Sequence, residues 1–260
     1  MIFTTTKDQL QKINSLTKYP SISTYHVLGQ KGRLTNDLSF EFEGTVYATE
    51  KVDGTNARII FMPDGKVIVG SREDLLWEFN DLIENNTMNI VNTVKKHIHR
   101  QVFLDATKND HPSIFVLYGE VYGKGIGPGK NYAKEERGFR LFDIIRHFDF
   151  KNILEMPREK ISQWRDHGGQ SFVHVDELKN WASVFNIEVV PPLFEGDAAD
   201  LPKTHEEVND WLLSMGDTRC ALDNDALGTP EGVVVRTADR KIIAKLRRED
   251  YRRTLRAKSK

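Results

Sequence analysis

The chain has 260 residues, and its 37 Lys and Arg against 38 Asp and Glu leave a net charge of -1, which excludes the globally basic composition of a protein that simply coats nucleic acid. Hydrophobic residues at 39% and charged ones at 29% make an ordinary globular balance, far from that of a disordered chain. No apolar run reaches the ~18 residues of a membrane span, the start MIFTTTKDQLQKIN carries no secretory pattern, and the single cysteine, Cys220, permits neither an internal disulfide nor a thiolate zinc cage, so a cytoplasmic or nuclear protein without membrane contact is expected.

In chain order, short β-rich runs begin at 46–47 and continue at 57–61 and 67–69, with FMPDGKVIV placing a turn between two apolar runs as a hairpin does. Leu75, Leu76, Phe79, Leu82 and Ile83 recur at the spacing of one helix face, predicting a helix there, and Ile90, Val91, Val94 and Ile98 predict a second. Further strands are expected at 114–122, 139–145, 187–190 and 232–236, and helices at 175–185 and 205–213. Thr204 and Glu207 stand three apart ahead of the last helix, the spacing of a capping box. VVVRTADRKIIAKL predicts a final hairpin. The pattern is α+β, mainly antiparallel sheets with peripheral helices. No Gly, Ser or Pro-rich linker forces a boundary, so residues 1–260 are expected to form a single domain.

The most informative stretch is Glu50-Lys51-Val52-Asp53-Gly54-Thr55-Asn56, which sets a lysine two residues before an Asp-Gly turn between two strands. Alone, such a lysine is as well explained by a solvated hairpin. It is followed, however, by Ser71-Arg72-Glu73, Leu117-Tyr118-Gly119-Glu120-Val121-Tyr122-Gly123, Phe139-Arg140-Leu141-Phe142-Asp143, Pro230-Glu231-Gly232-Val233-Val234-Val235-Arg236 and Ala244-Lys245-Leu246-Arg247. Singly, each has a structural explanation; the six in this order do not.

The series resembles the covalent nucleotidyltransferase superfamily of polynucleotide ligases and mRNA capping enzymes, over residues 46–247. DNA ligases and capping enzymes usually carry Arg where this chain has Asn56. K-x-D-G-x-N is instead similar to the ATP-dependent RNA ligases, in the branch typified by phage T4 RNA ligase 2. The resemblance implies the antiparallel-sheet nucleotidyltransferase fold, an ATP-grasp-like ligase adenylation domain. Such ligases commonly append an OB-fold or another small domain, but with thirteen residues after Arg247 and fifty before Lys51 no separate OB-fold or C-terminal substrate domain is expected in this chain. It also implies an ATP-dependent RNA ligase sealing 5′-phosphate and 3′-hydroxyl ends through lysyl-AMP and adenylated RNA, with Mg²⁺ or Mn²⁺. The rival functions are a DNA ligase, a GTP-using capping-type enzyme, or a non-catalytic RNA-binding module that retains the nucleotide pocket.

The same resemblance assigns roles. Lys51 is the expected nucleophile and carrier of AMP. A lysine amine is almost wholly protonated at neutral pH, so the site must favour the neutral form, a task expected of Lys245, Arg247 and a bound metal. Glu120 is expected to hold the ribose hydroxyls, Phe142 to stack on adenine, Arg72 to reach the ribose or a phosphate, and the backbone at Glu50 to read the adenine edge. Glu231 offers a hard oxygen to the metal, with Asp143, Asp53 and Asn56 orienting metal waters and the 5′-phosphate.

Other signals are weaker. Gly123-Lys124-Gly125-Ile126-Gly127-Pro128-Gly129-Lys130 fails as a P-loop at Lys124 and Asn131. His205-Glu206-Glu207-Val208-Asn209 lacks a second zinc-binding His. Asn85-Asn86-Thr87 is a glycosylation triplet only in a secreted protein. Residues 245–260 carry net +6 on a body of net -7, and a helix there would present Arg252, Arg253 and Arg256 along one side with Leu255 turned inward. Such a helix suits either solvent or an RNA backbone. RNA ends are the expected partner, bound weakly by this chain alone and held together by a nicked or structured substrate or by a protein partner.

Overall fold

The computed structural model describes residues 6–78, 81–82, 87–226 and 228–258. Its elements in order are α1 (Lys7–Thr17), β1 (Ser23–Thr24), β2 (His26–Leu28), β3 (Leu34–Leu38), β4 (Thr45–Lys51), β5 (Thr55–Phe61), β6 (Val67–Ser71), β7 (Leu75–Glu78) and β8 (Asp81–Leu82). The middle holds α2 (Ile90–Lys95), α3 (Arg100–Thr107), β9 (Ile114–Gly123), β10 (Arg137–His147), α4 (Phe150–Glu155), α5 (Arg158–Asp166) and α6 (Val175–Phe185). The chain ends with β11 (Pro192–Asp197), α7 (His205–Ser214), β12 (Gly232–Thr237), β13 (Ile243–Arg247) and α8 (Arg248–Lys258). The expected α+β class with mainly antiparallel sheets is what forms.

The chain divides into two compact units, the first made of residues 1–20, 54–121 and 137–189, the second of 21–53, 122–136 and 190–260. Unit 1 is built on a six-stranded sheet in the order β10-β9-β5-β6-β7-β8. The FMPDGKVIV turn closes β5 onto β6 through Met62 and Lys66. Its core joins Ile60, Ile68, Val116 and Ile145 from the sheet to Ile13 and Leu16 of α1 and Ile161 of α5.

Unit 2 is built on a five-stranded sheet in the order β1-β13-β12-β4-β11, all antiparallel except the β1–β13 pair. In β4, Val46, Ala48 and Glu50 are buried while Tyr47, Thr49 and Lys51 are half-buried, the period of two that a strand imposes. Val46 and Ala48 pack with Val233, Val235, Ala244 and Leu246 on that face, against Val208 and Leu212 of α7. The Thr204 capping box forms as expected. Cys220 is buried and free.

Three expectations are corrected. Leu75 and Leu82 lie in strands β7 and β8, where Val69 pairs with Trp77, so sheet pairing overrides an apolar run that is ambiguous in period; Phe79 and Ile83 lie outside the described residues, as do Asn85 and Asn86. The run 187–190 forms only an isolated bridge, Val189 to Leu141, and the strand comes later as β11. The helix through Ile90, Val91 and Val94 ends at Lys95, short of Ile98. In α8, Arg252, Arg253 and Arg256 are exposed as expected, with Leu255 half-buried beside the buried Asp250, Tyr251 and Thr254. Among the described residues no helix is long and apolar enough to cross a membrane.

Candidate active site

Register assembles the cationic part of the site within unit 2. Gly232 of β12 pairs with Lys51 of β4 on one side and Arg247 of β13 on the other, and Val234 pairs with Thr49 and Lys245. Residues opposite each other, or two apart, share a sheet face. Lys51, Lys245 and Arg247 therefore stand on one face, with a glycine between the first and the last. A Cβ at Gly232 would collide with the Leu246 carbonyl, so the strands approach here only because no side chain intervenes.

The Lys51 ammonium donates to the Glu231 carboxylate, and the Glu231 N–H donates to the Lys51 carbonyl at 3.1 Å. Two residues on, the Asp53 N–H donates to the Tyr132 hydroxyl at 2.8 Å, fixing the turn that follows the lysine. Burial raises the Asp53 carboxyl above the usual range, repulsion from Glu231 adds to this, and Lys51 opposes it. Burial likewise keeps the Tyr132 phenol protonated. Arg247 forks onto Asp250 at 2.7 and 3.0 Å, and that carboxylate is only 2% exposed. Lys245 lies at mid-strand, its carbonyl accepting from the Tyr25 N–H at 3.0 Å.

Glu50 differs from its neighbour. Its side chain lies on the buried face, 2% exposed, where the Thr218 hydroxyl and the Arg219 N–H (2.8 Å) donate to its carboxylate. It anchors the segment before β12 to the strand that ends in Lys51.

Unit 1 holds the remaining motif residues. Asn56 of β5 pairs across the sheet with Glu120 of β9, and the Asn56 Oδ1 is buried without a partner. Phe142 and Asp143 follow one another in β10. The Tyr19 hydroxyl donates to Asp143 Oδ2 at 2.7 Å and the Tyr19 ring meets Phe142 edge-on at 5.0 Å, while Asp143 is 1% exposed. Arg72 lies just past β6, exposed, 3.7 Å from the Glu73 carboxylate.

The motif residues thus gather in two sets. Lys51, Asp53, Glu231, Lys245 and Arg247 belong to unit 2 with Glu50; Asn56, Arg72, Glu120, Phe142 and Asp143 belong to unit 1. Tyr19, Tyr132, Thr218, Arg219 and Asp250 are partners that the motif reading misses. Only Asp250 leaves a local signal, an acid three residues after Arg247 at the start of a helix.

The model of the RNA ligase family matches residues 44–255 of the chain. The chain belongs to the RNA ligase family. No curated protein sequence matches it. In fold, this RNA ligase family member is similar to mutants of Naegleria gruberi RNA ligase. One, with AMP and manganese, is 18% identical at a TM-score of 0.58 over 91% of this chain and 57% of that one. A second, with ATP and manganese, is 17% identical at a TM-score of 0.53 over 85% and 53%. An apo form is 16% identical at a TM-score of 0.53, again over 85% and 53%. The chain spans a little over half the length of these solved chains.

Proposed function

We propose that the protein is an ATP-dependent RNA ligase that joins RNA 5′-phosphate and 3′-hydroxyl ends. The observation that carries this reading is the contact of Lys51 with Glu231 on a sheet face shared with Lys245 and Arg247. Support comes from the family and from the Naegleria gruberi relatives solved with ATP or AMP and manganese.

In the first step the Lys51 amine, once deprotonated, forms a bond to the α-phosphorus of ATP as the bond to pyrophosphate breaks. The RNA 5′-phosphate then takes AMP from Lys51, and the 3′-hydroxyl displaces AMP to seal the strand. Such transfers depend mostly on position and on charge placed where it develops. Lys245 supplies positive charge at the phosphates, and Arg247 does so with its fork held by Asp250. Glu120 and Phe142 are the proposed ribose and adenine contacts, Arg72 a phosphate or ribose contact, and Asn56 and Asp143 orienting groups. For Glu50 the proposed contact is through its backbone, since its carboxylate is bound elsewhere.

The donor set suits a hard divalent cation. Asp53 and Glu231 are close enough to repel one another, a cost that a cation relieves. Among the described residues no cluster of three or more His, Cys, Asp or Glu is present; Mg²⁺ is commonly held by one or two carboxylates, waters and substrate phosphates. Glu231 would hold it, with Asp143 and Asp53 as the further candidates, and it would supply Lewis-acid neutralisation of the α-phosphate. If Glu231 were to turn to such a cation, its carboxylate would no longer hold the Lys51 ammonium, and the amine would lose its proton more readily.

The test is incubation with α-labelled ATP and Mg²⁺ followed by peptide mapping. An acid-labile AMP on Lys51 is expected; a folded, metal-supplied protein that takes no label there refutes the reading.

A further inference from the structure

Unit 1 contains a cleft of about 430 Å³ between α1 and α5, lined by Lys7, Asn14, Ser15, Lys18, Arg158 and Arg165. Its one acidic lining residue is Asp74. Ligand pockets span roughly 300 to 1,000 Å³, so the cleft admits a nucleotide-sized group rather than a lone ion. None of its residues carries a ligase motif.

Behind its wall lies Arg58, fully buried at 0% exposure. The terminal nitrogens of Arg58 donate to the Asn14 carbonyl (3.1 Å), the Asn14 side-chain oxygen and the Thr17 hydroxyl (3.0 Å), all neutral acceptors. Its Nε has no partner, and among the described residues no carboxylate forms an ion pair with it; Glu73 and Asp74 act on it only through space. Burial draws its pKa down to about 10, which leaves it charged at neutral pH. A buried cation without a counter-ion is costly. Gly70 makes room for it: a Cβ there would lie 2.6 Å from Arg58 Nε.

The cations at the surface of the cleft have only solvent-exposed counter-ions. Lys18 meets Glu73 at 2.8 Å, Arg165 meets Asp166 at 2.9 Å, and Arg158 meets Glu159 at 3.7 Å. Lys18 and Arg165 are themselves half-buried, and only the Arg158–Glu159 pair is exposed on both sides and worth about 0–1 kcal/mol; in each pair the exposed carboxylate is the partner that a multivalent anion replaces. Lys7 forms no ion pair among the described residues. The hydroxyls of Ser15 and Ser162, 2.7 Å apart, add neutral donors.

We propose that this cleft is a second phosphate site, which takes a backbone phosphate of the RNA away from the ends being joined. The proposal rests on the ligase reading for the identity of the polyanion. Arg58 supplies a fixed field from behind the wall, and Lys7, Lys18, Arg158 and Arg165 supply the contacts. Backbone contacts give affinity and register without reading sequence.

The test compares the full chain with the double variant Lys7→Glu, Arg158→Glu, both exposed side chains whose reversal leaves the core untouched. Binding of a nicked, 5′-phosphorylated RNA duplex is followed by fluorescence anisotropy across a range of salt. The expected result is at least tenfold weaker binding and a log–log salt slope smaller by about 1 to 2, with Lys7→Gln, Arg158→Gln giving a smaller loss in the same direction. Labelling of Lys51 by ATP is expected to stay at the parent level. Unchanged affinity and slope overturn the proposal, as does a double variant that loses inorganic phosphate, followed by amide chemical shifts, yet keeps its RNA affinity. Failure of the parent protein to label Lys51 sinks the ligase reading instead, and is read in a separate tube.

Discussion

In unit 2 Lys51 lies against Glu231 and Arg247 forks onto Asp250, so these two motif cations each have a carboxylate built in. In unit 1 Arg58 is buried deeper than either and meets only the neutral oxygens of Asn14 and Thr17. The contrast separates two ways of preparing a protein for phosphate. A paired cation holds its charge in place until a substrate or metal displaces the partner, whereas an unpaired one presents a standing positive field that the ligand completes.

The largest expected effect is on the paired side. Glu231→Gln removes a candidate metal oxygen and the carboxylate that positions the Lys51 amine, and should slow lysyl-AMP formation on the order of a hundredfold. It also removes the repulsion that helps to raise Asp53, so the acidic limb of the labelling rate against pH should move to lower pH. A rate within threefold or so of the parent would break the distinction between the units.

On the unpaired side, Gly70→Ala places a methyl group 2.6 Å from Arg58 Nε and 2.9 Å from the Asp74 carbonyl. Neither neighbour can withdraw freely, so urea unfolding should show a loss of about 1–3 kcal/mol. His147 extends the contrast, because unit 1 also buries this base without a counter-ion. It is 3% exposed with Nε2 unpartnered, and burial lowers its pKa from 6.5 to about 4. The unfolded chain takes up that proton first on acidification, so the neutral folded imidazole is no handicap above pH 6.5 and costs stability progressively as pH falls towards 4. The slope is at most about 1.4 kcal/mol per pH unit, and His147→Gln should flatten it in urea titrations between pH 7 and 5. The smallest effect is local: Thr204→Ala, which opens the α7 capping box, should cost unit 2 about 1 kcal/mol.

Much of unit 2 is legible in the sequence, because β4 and β13 alternate buried and more exposed residues and the DG and ADR turns punctuate the strands. The face that carries Lys51, Lys245 and Arg247 follows from that alternation once register is known. Register itself comes from strand pairing across some 180 residues of chain, as the Lys51 to Glu231 contact shows, and no local signal specifies it. The N-terminal helix α1 was within reach of the sequence, since Thr6 and Gln9 form a capping box ahead of Ile13 and Leu16. Tyr132 and Tyr19 were not, because each acts through a backbone or ring contact with a residue distant in the chain. The 75–82 region shows the converse failure: Leu75, Leu76 and Leu82 fit a helical period, and pairing of β7 with β6 decides otherwise.

The central claim is that Lys51 receives AMP from ATP, gives it up to the RNA 5′-phosphate, and takes no part in the sealing step. Lys51→Ala answers it most directly when assayed on two substrates, ATP and a nicked RNA already adenylated at its 5′ end. The account predicts labelling reduced at least about a thousandfold with sealing of the pre-adenylated nick substantially retained. Equal loss of both activities in a folded variant, or undiminished labelling, would contradict it.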